Sequence, residues 1–358
     1  MEKVTVHVNR PYDVVIGEEI LNTCGAYLRD YSVSGKVAVI TDENVAPLYL
    51  EKVKKGLQDA GYGVESMAIP AGEQSKTMST LQEILSFLAD KQFGREDTVV
   101  ALGGGVVGDI SGFAAGIYMR GIAYVQIPTT LLAAVDSSVG GKTAVDLPEG
   151  KNLAGLFVHP KLVITDICCF RTLPKEVLRQ GMAEVIKTAV LSGEELFSTL
   201  ETEDFQKESI REKVVKECVT YKAKVVEADF TEKGERKLLN LGHTPAHAIE
   251  KASGYEIPHG DAVALGLRLI TAGACGTGLL EEETGRRIIG LINEENFPEE
   301  SGYTIEELAR AAAYDKKRQG DAVTMILPHG IGDCRLQKMS FVEVFELYKN
   351  AKRWLNES

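Results

Sequence analysis

The first half of the chain alternates short apolar runs with amphipathic stretches, and this alternation constrains the fold more than any other feature. Four runs are rich in β-branched residues and end in Gly, Pro or Asp: KVAVITD (36–42), DTVVALGG (97–104), IAYVQIP (122–128) and LVITD (162–166). Helical patterns, such as 46–61 and 80–92, lie between them. Such alternation is typical of a parallel sheet covered by helices. It predicts an α/β domain with a parallel sheet in this half.

After about residue 172 the sequence becomes helical in pattern. The predicted helices are 175–200, 207–228, 235–252, 261–278, 282–293 and 304–313, and a short return to strand pattern follows at 322–336. Thr172-Leu173-Pro174 marks a candidate boundary, because proline is accepted in the first turn of a helix. A chain of 358 residues is long enough for two domains. We therefore expect an α/β domain at 1–172 and an all-α domain at 173–358.

Composition excludes several classes of protein. The net charge of −12 argues against a nucleic-acid partner, which would require a surplus of Lys and Arg on one face. No apolar run approaches the roughly 18 residues of a membrane span, and the N-terminus has no signal-peptide pattern. Six cysteines without CxxC spacing indicate reduced core residues, not a disulfide framework. A soluble cytoplasmic protein without a membrane partner is expected.

A glycine-rich turn follows the run DTVVAL. Gly103, Gly105 and Gly108 satisfy GxGxxG and precede a helical pattern. Glycines let the backbone approach a pyrophosphate at a helix N-terminus, although the same residues also serve a tight strand-to-helix turn. The usual ribose-binding acid about 20 residues later is missing, since IAYVQIPTT has no carboxylate. Asp42, at the end of VAVITD, is the alternative candidate for the ribose hydroxyls.

Three of the six histidines fall close together, at His243, His247 and His259. On a helix His243 and His247 would face the same way, which suits a metal pair or one ligand beside a proton-transfer group. Glu184 lies on an apolar helical segment where an unpaired carboxylate would be costly. The sequence indicates two roles for it, as a further metal ligand and as the ion-pair partner of Lys187, and one role does not exclude the other.

Basic residues indicate an anionic small molecule. DSSVGGKTAVDLPEGKN (136–152) is predicted to be a Gly-rich loop in which Lys142, Lys151 and Asn152 suit phosphate or carboxylate capture, or simply a solvated surface loop. Lys222 lies on a later helical pattern. Arg236, Asn240, His243 and His247 are spaced at 4, 3 and 4, so that a single helix would place them on one face lining a polar cleft.

Together these motifs resemble one family. AGEQSK, GGGVVGD, IPTTLLAAVDSSVGGKTAVDLPEGKN, GMAEVIK, RKLLNLGHTPAHAIE and HGDAVALG resemble, in order and spacing, the 3-dehydroquinate synthase family of sugar phosphate cyclases. The resemblance extends over residues 36–335. One departure is Pro245-Ala246, where Phe-Gly is frequent in the family; proline there suggests a helix that begins or kinks.

The resemblance implies an active site between the two domains, NAD, a divalent metal (zinc or cobalt) and a homodimer. It implies conversion of 3-deoxy-D-arabino-heptulosonate 7-phosphate to 3-dehydroquinate and phosphate in the shikimate pathway. The implied course is transient oxidation by NAD, phosphate elimination, re-reduction and aldol closure, which makes the protein a carbon–oxygen lyase. The alternatives are a related sugar phosphate cyclase, a metal-dependent alcohol or glycerol dehydrogenase, and a non-catalytic NAD-binding regulator.

The resemblance also implies the site residues. The implied metal ligands are Glu184, His243 and His259, which leaves His247 for proton transfer. The implied nucleotide contacts are Asp42, Asn44, Glu73, Lys76, Gly105, Val106, Val107, Gly108, Asp109, Thr129, Thr130, Asp136, Lys142, Lys151, Cys169, Phe170, Arg171 and Thr172. The implied substrate contacts are Lys142, Asn152, Lys187, Lys222, Arg236, Asn240, His247, a lysine at Lys316 or Lys317, and Arg120 from a neighbouring subunit.

Overall fold

A computed structural model describes residues 1–314 and 322–357 of the chain. These residues form two compact units. The first unit comprises Met1–Pro174 and Gln206–Phe230, and the second comprises Lys175–Phe205 and Thr231–Ser358. The expected boundary at residue 172 placed residues 206–230 in the second domain, whereas in the structure they pack with the first unit.

The strands are β1 (Glu2–Val6), β2 (Tyr12–Gly17), β3 (Val37–Asp42), β4 (Val64–Ile69), β5 (Thr98–Gly103), β6 (Ala123–Pro128), β7 (Lys142–Leu147), β8 (Gly150–Phe157), β9 (Leu162–Asp166), β10 (Ala322–Gly330) and β11 (Asp333–Ser340). The α-helices are α1 (Cys24–Asp30), α2 (Glu51–Asp59), α3 (Met78–Asp90), α4 (Gly105–Ile117), α5 (Lys175–Ser192), α6 (Glu194–Thr202), α7 (Glu208–Ala228), α8 (His243–Ala252), α9 (His259–Gly276), α10 (Glu282–Glu294), α11 (Ile305–Tyr314) and α12 (Phe341–Glu357).

The first unit is built on a seven-stranded sheet in the order β1-β2-β9-β6-β5-β3-β4. All neighbouring strands are parallel except β1 and β2. The interior strands β5 and β9 are buried along their whole length, which explains their continuous β-branched runs. The predicted α/β fold with a parallel sheet is confirmed. The half-exposed edge strand β4 has the sequence VESMAI, which lacks such a run, and sequence reasoning missed it.

The glycine turn follows β5, at the point where successive strands are placed on opposite sides of β3. From β3 the chain adds β4 on one side, and it then returns to add β5 on the other side of β3. The carboxyl ends of β3 and β5 are therefore a topological switch point, the usual place for a ligand in an open parallel sheet. Asp42 ends β3 and Gly103 ends β5.

Residues 136–152 are not a loop, which corrects the sequence-based interpretation. One helical turn ends at Ser137, and β7 and β8 then form an antiparallel hairpin in which Lys142 pairs with Phe157. The alternation of TAVDL and LAGLF was obscured by the glycines at 140, 141 and 150. The hairpin gives Lys142, Lys151 and Asn152 fixed backbone positions.

The second unit is helical, as expected, with an added hairpin of β10 and β11. Helix α9 is buried over most of its length, and α5, α8 and α12 pack against it. The single helix predicted for 175–200 is two helices, because Gly193 has a left-handed φ of 120° between α5 and α6. No helix in the described ranges is both long enough and apolar enough to cross a membrane.

Candidate functional site

Three side chains converge in the second unit. Glu184 lies in the middle of α5, while His243 and His259 are the first residues of α8 and α9. The Nε2 atoms of both histidines lie 3.5 Å from the same carboxylate oxygen, Oε1 of Glu184. Ligands about 2.1 Å from a tetrahedral zinc ion are about 3.4 Å apart. The three side chains therefore have the chemistry and the spacing to hold a divalent cation.

Close contacts between glycines place His243. Gly242 precedes α8 with a left-handed φ of 76°, which ends the preceding segment and starts the new helix. A Cβ on Gly266 of α9 would overlap the carbonyl oxygen of Gly242. Helices α8 and α9 therefore meet at backbone distance at the position where His243 begins.

An ion pair places His259 relative to α5. Arg179 of α5 donates to both carboxylate oxygens of Asp261, at 3.2 and 3.0 Å. A Cβ on Gly260 would overlap the backbone of Gln180. The start of α9 is thus held against the helix that carries Glu184.

The charge state of Glu184 suits cation binding. Burial alone would raise the pKa of this carboxyl, but the charges of Lys187 and His259 outweigh it and hold that pKa well below its usual range. Oε2 is in ion-pair contact with Nζ of Lys187, while Oε1 faces the two imidazoles. Neither oxygen accepts a hydrogen bond of good geometry. The two interpretations of Glu184 are compatible, because each uses a different oxygen.

The pKa values of the two imidazoles are shifted in opposite directions. Burial and the charge of Lys187 lower the pKa of His243 to about 3, so that its ring is neutral, as a metal ligand must be. Burial also opposes the charged form of His259, but the neighbouring carboxylates of Glu184 and Glu250 outweigh it and raise that pKa to about 10. A cation bound to Nε2 would have to displace a proton from His259.

The single helical stripe predicted from Arg236 to His247 is wrong. Residues 235–240 form a 3₁₀ helix, and the chain turns at Leu241 and Gly242 before α8 begins. Arg236 is 1% exposed, and Asn240 donates to Glu232 at 2.7 Å. His247 remains one turn beyond His243, exposed, with ring centroids 5.6 Å apart. Proline at 245 is tolerated because it falls in the first turn of α8.

In the first unit the glycine turn has the geometry of an anion site. Gly104 caps α4, whose first residue is Gly105. A Cβ on Gly108 would lie 2.8 Å from Nε2 of Gln126 on β6, so that glycine allows the helix to approach the sheet closely. The free amides at the start of α4 face the carboxyl end of β5, where a phosphate is favoured.

A buried lysine joins two other predicted site residues. Nζ of Lys76 donates to Oδ2 of Asp109 at 2.6 Å and to Oδ1 of Asn152 at 2.5 Å. Burial favours the neutral amine, but the charges of Asp109 and Glu73 outweigh it and raise the pKa of Lys76. The ammonium therefore stays charged beside the helix start. In the same region Nζ of Lys151 lies 3.8 Å from Oε1 of Glu73.

Lys222 belongs to the first unit through α7. Its Nζ donates to the carbonyl oxygen of Asp136 at 2.6 Å and to Oδ1 of the same residue at 2.7 Å. These residues are distant in sequence, and α7 packs on β1 and β2. Sequence reasoning named both residues without relating them.

Other predicted nucleotide contacts lie near the carboxyl ends of the strands. Oδ1 of Asp42 accepts from the backbone N–H groups of Asn44 and Val45, which fixes the turn after β3. The backbone N–H of Ala133 donates to Oγ1 of Thr130 at 3.2 Å, so that Thr130 caps the next helical turn. Thr129 follows β6, and Cys169, Phe170, Arg171 and Thr172 form a 3₁₀ turn after β9.

The remaining predictions concern exposed or undescribed residues. Arg120 is exposed after α4, and it and Met119 both have left-handed φ values, 69° and 50°. Lys142 is exposed at the start of β7. The prediction of Lys316 or Lys317 lies outside the described residues.

Comparisons with known proteins agree on one family. Residues 66–180 match the family model described as 3-dehydroquinate synthase N-terminal, and residues 181–318 match 3-dehydroquinate synthase C-terminal. The 3-dehydroquinate synthase of Clostridium acetobutylicum is 42% identical over 342 residues, 94% of this chain and 95% of that protein.

Solved structures show the same architecture. ValA, the 2-epi-5-epi-valiolone synthase from Streptomyces hygroscopicus subsp. jinggangensis 5008 with NAD+ and Zn2+ bound, has a TM-score of 0.88 at 28% identity, with 100% of each chain covered. A 2-deoxy-scyllo-inosose synthase with carbaglucose-6-phosphate, NAD+ and Co2+ has a TM-score of 0.86 at 24% identity, covering 97% of this chain and 99% of that one. This chain belongs to the 3-dehydroquinate synthase family.

Proposed function

We propose that this chain is a 3-dehydroquinate synthase that converts 3-deoxy-D-arabino-heptulosonate 7-phosphate to 3-dehydroquinate and phosphate. The observation that carries the proposal is the convergence of Glu184, His243 and His259, in a chain that matches both halves of the family. We propose NAD and a zinc or cobalt ion as its resident groups. When bound, NAD accepts and returns a hydride, and the cation polarises a substrate oxygen.

The first unit supplies the nucleotide-binding residues in this proposal. Residues Gly105–Asp109 would surround the pyrophosphate, which the free amides of the first turn of α4 would face, and Asp42 would accept from the ribose hydroxyls at the neighbouring strand end. Lys76 holds Asp109 and Asn152 in place through its two hydrogen bonds. The other proposed nucleotide contacts keep the roles that the resemblance implies.

Cationic side chains orient the substrate. Lys187, Lys222 and Arg236 are all buried, so their attraction for a carboxylate or phosphate is weakly screened. A lysine or arginine clamp of this kind fixes the reacting carbon atoms and lowers the entropy cost of reaching the transition state. His247 is exposed beside His243 and moves protons at Nδ1 or Nε2.

The proposal includes a homodimer in the cytoplasm. Exposed apolar side chains surround the end of α4, where Ile117 is 38% and Met119 45% exposed, and the adjacent β8 exposes Leu156 and Phe157. Such a patch on a folded chain favours contact with another protein surface. All six cysteines are free, which suits a reducing compartment.

A phosphate-release assay tests the function. Purified protein with catalytic NAD and added Zn2+ or Co2+ is expected to release one phosphate for each 3-dehydroquinate formed, with no net NADH. Glu184→Gln, which keeps the size of the side chain, is expected to lose at least a hundredfold in rate, because it removes an anionic ligand.

Two outcomes would contradict the proposal. Stoichiometric accumulation of NADH from simple alcohols would indicate a dehydrogenase. Phosphate release from a seven-carbon ketose phosphate that lacks the carboxylate, without turnover of the acid, would indicate a sister cyclase.

A further inference from the structure

Glu250 is a buried carboxylate beside the metal-type cluster; it ends the motif RKLLNLGHTPAHAIE, but neither the sequence interpretation nor the mechanism above gives it a role. It lies on α8 seven residues after His243, about two helical turns along the same face. The residue is 4% exposed, and its Oε1 is 3.4 Å from Nδ1 of His259. This separation is at the long end of hydrogen-bonding distance.

His259 requires an external contact to fix its ring. It is the most exposed of the three side chains, at 36% against 11% for His243 and 1% for Glu184. As the first residue of α9 it follows Pro258, which makes no side-chain cap. His243 differs, since its Nδ1 lies 3.2 Å from the carbonyl oxygen of Leu241 just before it in the chain.

A carboxylate on Nδ1 has a definite chemical consequence. An imidazole that donates Nδ1–H keeps its Nε2 lone pair available, and the carboxylate increases the basicity of that nitrogen. Nε2 of His259 is the atom that faces Glu184. The two histidines therefore have different partners, a neutral carbonyl for one and an anionic carboxylate for the other.

We propose that Glu250 is a positioning residue for the metal centre: its carboxylate accepts a hydrogen bond from Nδ1 of His259 and thereby directs Nε2 at the cation. The inference rests on the proposed metal dependence. In this role Glu250 touches neither the cation nor the substrate, and it acts through His259.

Metal affinity tests the role without an activity assay. The full-length protein is stripped and titrated with Zn2+ against a chromophoric chelator, and Co2+ is used to record the visible absorption spectrum of the site. Glu250→Gln is expected to weaken Zn2+ binding about 10- to 100-fold and to shift the Co2+ bands, as loss of an outer-shell partner does. Glu256→Gln, the same change at a nearby exposed position, should leave both readouts unchanged.

The outcomes separate this inference from the proposed function. If the unaltered protein binds neither ion, the proposed metal dependence fails. If it binds both, and Glu250→Gln matches its affinity and spectrum, only the role of Glu250 is overturned. If the glutamine variant does not fold, Glu250→Asp replaces it, because aspartate keeps the charge but withdraws it by one methylene. This variant is also expected to bind Zn2+ more weakly. Unchanged affinity in the aspartate variant would equally overturn the role of Glu250.

Discussion

Asn152 combines a strained backbone with a polar contact. Its φ is 57°, a left-handed value that a residue other than glycine adopts only at a cost, although Asn is among the more tolerant types. The backbone N–H donates to Asp146 at 2.7 Å, and the side chain accepts from Lys76. Strain held in place by neighbouring contacts is common at functional sites. Substitutions of Asn152 should therefore change the stability of the protein and its activity independently.

Two substitutions at this position separate the effects. Asn152→Ala and Asn152→Gly both remove the amide, so phosphate release is expected to fall about tenfold to a hundredfold in each. Only the glycine variant relieves the left-handed backbone, so it should unfold in urea with a free energy about 1 kcal/mol higher than the alanine variant. An alanine variant as stable as the glycine variant would show that the backbone at Asn152 stores no strain.

At the scale of elements, contacts between helices place the three converging side chains of the second unit. Helix α9 carries His259 at its start and Gly266 two turns later, where it meets Gly242 before α8. A side chain at Gly266 would push α8 away and move His243 with it. Gly290 of α10 offers a comparison, because a Cβ there would meet open space.

The same glycine-to-alanine change should therefore have opposite effects in the two helices. Gly290→Ala is expected to raise the free energy of unfolding by about 0.5–1 kcal/mol, since alanine is the better helix former. Gly266→Ala should lower it by about 1–3 kcal/mol through overpacking, and it should also weaken Zn2+ binding. Urea titration and the chelator competition measure these two quantities. Equal stability of the two variants would contradict the close contact.

At the scale of the whole molecule, Arg120 relates one chain to another in the proposed dimer. It is exposed, and the apolar side chains of Ile117 and Met119 close to it in the chain are exposed as well. In a twofold dimer each surface is used twice, so Arg120 of either chain would serve the site of the other.

Mixed dimers test this exchange. Arg120→Ala and Glu184→Gln are expected to be nearly inactive alone, whereas a refolded equal mixture should recover about a quarter of wild-type phosphate release, because half of the dimers then contain one complete site. A mixture of Glu184→Gln with His243→Ala is the control and should recover nothing, since both changes fall within one cluster. Mixed dimers that form, shown by native mass spectrometry, yet remain inactive would exclude a role for Arg120 in trans.

The sequence by itself determined the local elements. Continuous β-branched runs predicted β3, β5, β6 and β9, and GxGxxG predicted the turn into α4, because these patterns depend only on neighbours along the chain. The motifs GMAEVIK and LGHTPAHAIE carried enough information to identify the family and to name candidate ligands. Periodicity failed where the backbone changes direction within a few residues, as at Gly193 and Gly242.

Only the tertiary structure decided which side chains meet. Glu184 faces His243 and His259 because α5, α8 and α9 pack at glycine contacts, and no spacing along the chain encodes that approach. Helix α7 joins the first unit and brings Lys222 to Asp136, although it lies between helices of the second unit along the chain. Glu250 ends the motif LGHTPAHAIE, but the motif does not show what its carboxylate contacts. Its position follows from burial and helix packing, which depend on residues far apart in sequence and therefore on the folded chain as a whole.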